Sequence, residues 1–218
     1  MVLRVVGLLA MIVIGPLASW GADGGPWDFE AAREGALPSG WVAAKTGEGS
    51  GSVWKVIAAE RDGKQNRALA QTSAEGPNAL FNLCVVSDMK QSDIDLSADV
   101  KAISGDKDRG GGVVWRYRDA GNYYVTRWNP LEDNFRVYHV INGKRTQLAN
   151  ADAKLPQDQW HIVRAVQNGS LIQCYLDGKL LLDVMDGAIQ DAGAVGLWSK
   201  ADAVTWFDNV VMKTPLKE

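Results

Sequence analysis

The sequence predicts an all-β fold, a two-sheet antiparallel β-sandwich of the jelly-roll kind, and three observations carry that prediction. From residue 53 onward the chain breaks into thirteen short runs that alternate apolar with polar residues or are rich in β-branched and aromatic ones. Turn signals separate them. The clearest are Asn142-Gly143 and Asp177-Gly178, because a type I′ hairpin turn needs positive φ at both central positions. Only DGAIQDA, residues 186–192, reads as a short helical turn.

In chain order the runs are VWKVIA, RALAQ, ALFNLCVV, IDLSADVKA, GVVWRYR, YYVTRW, FRVYHVI, RTQLA, WHIVRAVQ, LIQCYL, KLLLDV, AVGLWS and AVTWFDNVVM. So many short strands joined by tight turns fit two packed sheets better than a small barrel. The first strand is expected to pair near the last. In WHIVRAVQ, Trp160, Ile162 and Arg164 alternate with His161, Val163 and Ala165, and periodicity alone does not say which set faces the core. No repeat and no low-complexity linker divides the chain, so residues 22–218 are expected to form a single domain.

Residues 1–21 have the layout of a secretory signal peptide: Arg4, an apolar stretch, then Ser19 and Gly21 ahead of Ala22. The expected location is therefore secreted or periplasmic, with no membrane insertion once the leader is removed. The formal charge of the 218-residue chain is −3, and removing Arg4 with the leader makes it −4. A mildly acidic protein of this kind is a poor partner for nucleic acid or an anionic membrane. Oligomeric state is not legible. The two cysteines, Cys84 and Cys174, leave two options: a disulfide, or two isolated buried thiols pointing into different environments.

Four segments carry a family likeness: DRGGGVVWRYRDAGNYYVTRWN, FRVYHVINGKRTQLA, QWHIVRAVQNGSLIQCYLDGKLLLDVMD and GAVGLWSKADAVTWFDNVVM. With DFE and LPSGW near the start, the chain resembles exported concanavalin A-like lectin/glucanase domains over residues 27–212. Within that superfamily it is most similar to the laminin-G-like bacterial group described as 3-keto-disaccharide hydrolase-type or related to family sixteen glycoside hydrolases. The resemblance implies the sandwich. It leaves function divided, since the fold hosts enzymes, lectins and adhesion modules.

Retaining glycosidases need two carboxylates about 5–5.5 Å apart, supplied in family sixteen by acids sharing one strand face. No such run is present. Glu132-Asp133 reads as a solvated turn. His139 reads as a hydrogen-bonded sheet histidine, and neither it nor His161 adjoins a nucleophile motif. HExxH, CxxC and G-x-S-x-G are missing, so zinc and serine-esterase chemistry have no local support. GDKDRGGG, residues 105–112, reads as a flexible loop. No cofactor is expected beyond a structural calcium where the first and last strands meet, with Asp28, Glu30, Asp208 and Asn209 as candidate oxygen donors.

GGVVWRYRDAGNYYVTRWN sets rings beside arginines. Alternation separates Val113, Trp115 and Tyr117 from Val114, Arg116 and Arg118, and Tyr123, Val125, Arg127 and Asn129 from Tyr124, Thr126 and Trp128. The resemblance implies that Arg116 and Arg127 share the open concave face of one sheet, with Tyr123, Asn129 and Tyr138 beside them. Trp198 and Lys200 would extend the groove. Rings that cover a sugar face, next to planar donors for its hydroxyls, suit glycan recognition. The reading is a non-catalytic carbohydrate-binding, lectin-like domain whose partner is a glycan or polysaccharide. Two alternatives stay open: a hydrolase of the 3-keto-disaccharide type, and a structural or protein-adhesion module.

Overall fold

The computed structural model describes residues 24–215, and the leader expected at residues 1–21 lies outside them. Among the described residues there is no helix, so none is long and apolar enough to cross a membrane. Fifteen strands form two antiparallel sheets. They are β1 (Gly24–Trp27), β2 (Trp41–Thr46), β3 (Trp54–Arg61), β4 (Lys64–Gln71), β5 (Phe81–Val86), β6 (Ile94–Ser104), β7 (Gly111–Asp119), β8 (Asn122–Asn129), β9 (Asn134–Ile141), β10 (Lys144–Asp152), β11 (Trp160–Asn168), β12 (Leu171–Leu176), β13 (Lys179–Met185), β14 (Ala194–Lys200) and β15 (Val204–Lys213).

Sheet I has the order β13-β12-β11-β6-β15-β4-β3, with β1 added along β15. Sheet II has the order β10-β9-β8-β7-β14-β5-β2. The expected meeting of first and last strands is present, Gly24 opposite Met212 and Trp27 opposite Val210. Both predicted hairpins form with positive φ at both turn residues: 51° and 77° at Asn142-Gly143, 49° and 77° at Asp177-Gly178. The segment 186–192 is irregular chain and not a helical turn.

Between the sheets lies a core that includes Val100, Val163, Phe207 and Leu69 from sheet I and Trp115, Trp128, Phe135 and Leu197 from sheet II. Burying one such large side chain contributes roughly 1.5–3 kcal/mol. On β11 the core side is His161, Val163, Ala165 and Gln167. Gln167 is tolerated there because Trp115 Nε1 donates to its Oε1 at 2.5 Å across the sandwich and its Nε2 donates to Gly169 O. His161 is likewise satisfied, between Asp177 and the Pro156 carbonyl. Cys84 and Cys174 are free thiols, and both sit in this one core rather than in different environments. Burial pushes both thiols up, Cys174 to about 12.

The loop read as flexible is pinned. The Asp202 carboxylate, between β14 and β15, accepts the backbone amides of Asp106, Lys107 and Asp108. That anchorage fixes where Asp108 points, into the site described next.

Candidate functional site

Sheet II carries a second apolar cluster on the face turned away from the sandwich core. Phe81, Leu83, Val85, Val114, Tyr123, Val125, Tyr138, Val140 and Trp198 are all buried there. No third layer covers this face, so the sheet must cover itself, and the contacts show how. Arg145 lies on edge strand β10 and Phe81 on β5, five strand steps away. A flat sheet would hold them roughly 24 Å apart, at about 4.8 Å per step. The Arg145 guanidinium instead sits 4.9 Å from the Phe81 ring. At the opposite edge, Thr46 of β2 is hydrogen-bonded at 2.8 Å to the Tyr123 hydroxyl of β8. Sheet II is therefore curled into a groove, and a side chain from each edge reaches in over its interior strands.

The Asn142-Gly143 turn brings Arg145 there. It pairs Lys144 with Ile141 and Arg145 with Val140, placing Arg145 on the face shared by Val140 and Tyr138. Its guanidinium lies 4.4 Å from the Tyr138 ring centre and 6.0 Å from that of Trp198. The rings form a floor, and Arg145 is the roof.

Farther along, the groove is charged. Arg127 donates to Asn134, to Glu132 at 3.0 Å and to the Tyr138 hydroxyl at 3.2 Å. Glu132 also accepts from Arg136 at 3.1 Å and Asn134 at 2.9 Å. Burial pushes the Glu132 carboxyl up, but Asn134 and the two arginines outweigh it and hold it below the usual carboxylate range. Asp108, almost wholly buried, accepts from Lys200 at 2.8 Å and Asn129 at 3.1 Å. Burial dominates there and holds its carboxyl above the usual range, despite Lys200 and Arg127.

Six of the seven residues expected to form the binding face lie along this groove: Tyr123, Arg127, Asn129, Tyr138, Trp198 and Lys200. Two features of the expectation need correcting. The face is not open, since Tyr123 and Trp198 are 0% exposed and Tyr138 3%, so these rings lie beneath the roof and do not present a bare apolar floor. Asn129 is also spent locally, its Oδ1 capping the amides of Leu131 and Glu132.

The second correction is Arg116. It occupies a β-bulge with φ of 44°, where β7 inserts extra residues between Trp115 and Asp119 opposite β8. The bulge returns Tyr117 to the groove side, against Tyr123, and sends Arg116 toward Tyr124 of the sandwich core. Its guanidinium is engaged by the carbonyls of Ser92, Ile189 and Gly169 at 2.6–2.8 Å. Arg116 and Arg127 therefore do not share a face. Glu132 and Asp133 both stand in an exposed turn, as read, but Glu132 is in addition paired with Arg127 and Arg136.

Arg145 was not anticipated, although the type I′ turn fixes its pairing and hence its face. It matters because of what it lacks. Six buried side-chain polar atoms have no hydrogen-bond partner among the described residues, and three belong to this groove: Arg145 Nη1, Arg127 Nε and Trp198 Nε1. The Trp198 indole approaches the Tyr123 hydroxyl closely enough to favour its ionised form, yet burial still lifts that hydroxyl to about 12 and no hydrogen bond is completed.

Elsewhere, cavities of about 400, 370 and 250 Å³ flank residues 187–193 at one edge of the sandwich. Two polar groups nearby pair within the protein: Tyr124 donates to Asp186 at 2.5 Å, and His139 Nδ1 lies 3.3 Å from the same carboxylate, the hydrogen-bonded sheet histidine expected. The calcium candidates do not converge. Asp28 accepts the Glu30 amide, Glu30 accepts the Arg67 amide, and Asp208 faces Asn66, the Asn209 amide and Arg61. Among the described residues no group of three or more His, Cys, Asp or Glu side chains is arranged to hold a metal ion. Arg61 already brings a positive charge to Asp208, so these residues do not fit calcium.

The fold is thus a curled jelly-roll β-sandwich whose sheet II carries buried aromatic rings and three unpartnered donors. Residues 28–213 match the family model of the 3-keto-alpha-glucoside-1,2-lyase-like domain, and the chain belongs to that family. No curated protein matches the sequence. Among solved structures, the carbohydrate-binding module CBM66 from Bacillus subtilis aligns with a TM-score of 0.63 at 20% identity, covering 80% of this chain and 96% of its own. The cellulose-induced protein Cip1 aligns at 0.61 with 12% identity, covering 86% and 96%. The Emp47p carbohydrate recognition domain aligns at 0.56 with 13% identity, covering 87% and 94%. At these identities the likeness establishes the fold, a two-sheet antiparallel β-sandwich.

Proposed function

We propose that the domain binds a saccharide along the groove of sheet II and does so without chemistry on it. One observation carries the reading: three buried donors of the groove lack protein acceptors, although buried polar groups in folded proteins are satisfied in roughly 90% of cases or more. A sugar offers what they lack, hydroxyl oxygens as acceptors and an apolar ring face. The family's description names a glucoside, and two of the aligned structures are described by their carbohydrate binding or recognition. Both facts support a saccharide ligand, while neither identifies it. Expression with an amino-terminal leader belongs to the same proposal.

The test is calorimetric titration of residues 22–218 with a panel of neutral and acidic oligosaccharides, repeated with Trp198→Phe. That variant keeps a ring and removes the indole donor, so binding should weaken several-fold with the melting temperature little changed. Equal binding by Trp198→Phe would remove the groove as the site and direct attention to the cavities flanking residues 187–193.

One observation favours a catalytic reading as an alternative. Asp108 and Glu132 share the groove with Arg127 and are displaced in opposite directions, one carboxyl above and one below the usual range, which is how an acid and a base separate at neutral pH. Turnover of a 3-keto-glucoside that Asp108→Asn abolishes would replace the binding reading with this one.

A further inference from the structure

Arg145 differs from the other arginines of the protein. Every other described arginine that is buried or half-buried has a protein acceptor. Arg61 has Asp99, Arg67 the Glu30 carbonyl, Arg164 Asp95, and Arg116 its three carbonyls. Arg109 has Gly105, and Arg127 and Arg136 have Glu132. Among the described residues Arg145 has neither a hydrogen bond nor an ion pair, and one of its terminal nitrogens is buried. Three rings hold its plane in place without satisfying a single donor.

Charge makes the same point. Along the groove, Arg127, Arg136, Arg145 and Lys200 stand with Glu132 and Asp108, and Asp152 shares the face opposite Asn134. Four cations against three carboxylates leave the groove positive by one in a chain whose formal charge is −3. Two guanidinium groups also share one ring, since Arg127 and Arg145 lie 5.9 and 4.4 Å from the Tyr138 centre. Glu132 neutralises the Arg127 side alone. That leaves the Arg145 guanidinium with no counter-ion among the described residues, and an anion bound beside it would be attracted to it.

We propose that the saccharide is anionic and that Arg145 takes its carboxylate or sulfate. The planar fork of a guanidinium matches a carboxylate bidentately, and its plane, already stacked on rings, is pre-ordered for the contact. The proposal rests on the saccharide reading of the groove and goes further in naming the ligand's charge.

Calorimetry with three probes tests it: tri-galacturonate, its neutral methyl ester, and a sulfated oligosaccharide of similar length. We expect tri-galacturonate or the sulfated probe to bind at least tenfold more tightly than the ester, a difference of about 1.4 kcal/mol, and to weaken as salt is raised. Which of the two binds identifies the anion. Arg145→Met keeps an apolar cover over the rings and should reduce the charged probe to the level of the ester. Should Arg145→Met fold poorly, Arg145→Lys takes its place and should lose the bidentate preference while keeping the fold. Equal affinity for charged and neutral probes, or an unaffected Arg145 variant that folds, overturns the anionic proposal and leaves saccharide binding standing. Failure of every probe, neutral ones included, overturns both.

Discussion

Three carbonyl oxygens converge on the Arg116 guanidinium, and alanine in its place would take this donor from all three, with only Gly169 O keeping a second one, Gln167 Nε2. Each hydrogen bond to a charged group contributes roughly 1.5–3 kcal/mol, and stranding buried acceptors adds to the loss. We expect Arg116→Ala to lower stability by about 3 kcal/mol or more in urea unfolding, while saccharide affinity of the folded fraction stays unchanged. A variant as stable as the parent would refute the structural role. Arg145 is predicted to behave oppositely, with binding affected and stability nearly kept. Two arginines 29 positions apart, each against a tyrosine ring in the fold, thus separate by what their donors meet.

At the scale of the element, the Asn142-Gly143 turn does more than join β9 to β10. With φ of 77°, Gly143 holds a conformation that costs an L-residue roughly 1–2 kcal/mol. Gly143→Val should therefore lower stability by about that amount, measured by thermal unfolding, and weaken ligand binding as Arg145 loses its seat over Tyr138. This turn was legible in the sequence, as were most strands and the groove-side set Tyr123, Arg127, Asn129 and Tyr138, because period-two alternation assigns faces wherever the ladder is regular. Arg116 was misassigned because the bulge at its position carries no Gly or Pro to announce it. The curl of sheet II was not legible either. Strand alternation says which side a residue takes, and nothing in it says that β10 and β5 will meet. For that reason rings expected to be open are buried, and the roofing arginine was overlooked.

For the whole molecule, acid stability follows from carboxylates held by the fold. Burial pushes Asp202 up, but three backbone amides outweigh it and leave it below its ordinary 3.8. Glu132 and Asp186 are depressed likewise by their hydrogen-bond partners, against burial. A folded value below the unfolded one gives stability that is present above about pH 4 and lost as the pH falls through the depressed value. Asp108, displaced upward, acts in the opposite sense, losing stability as the pH rises through its raised value. Asp202→Asn should consequently reduce stability at pH 7 and flatten the decline between about pH 4 and pH 2 in urea midpoints. An acid limb as steep as the parent's would count against this account.

The position of β15 bears on how the protein is made. It lies between β6 on one side and β4 and β1 on the other, so the last described strand is the middle of its sheet. Until residues 204–213 have left the ribosome, the β3–β4 hairpin has no neighbour, and β6 exposes a long unpaired margin of the kind that recruits other chains. Joining the β3–β4 hairpin to the rest of sheet I therefore waits for β15. A nascent chain must hold these two parts apart, alone or with a chaperone, until β15 closes the gap.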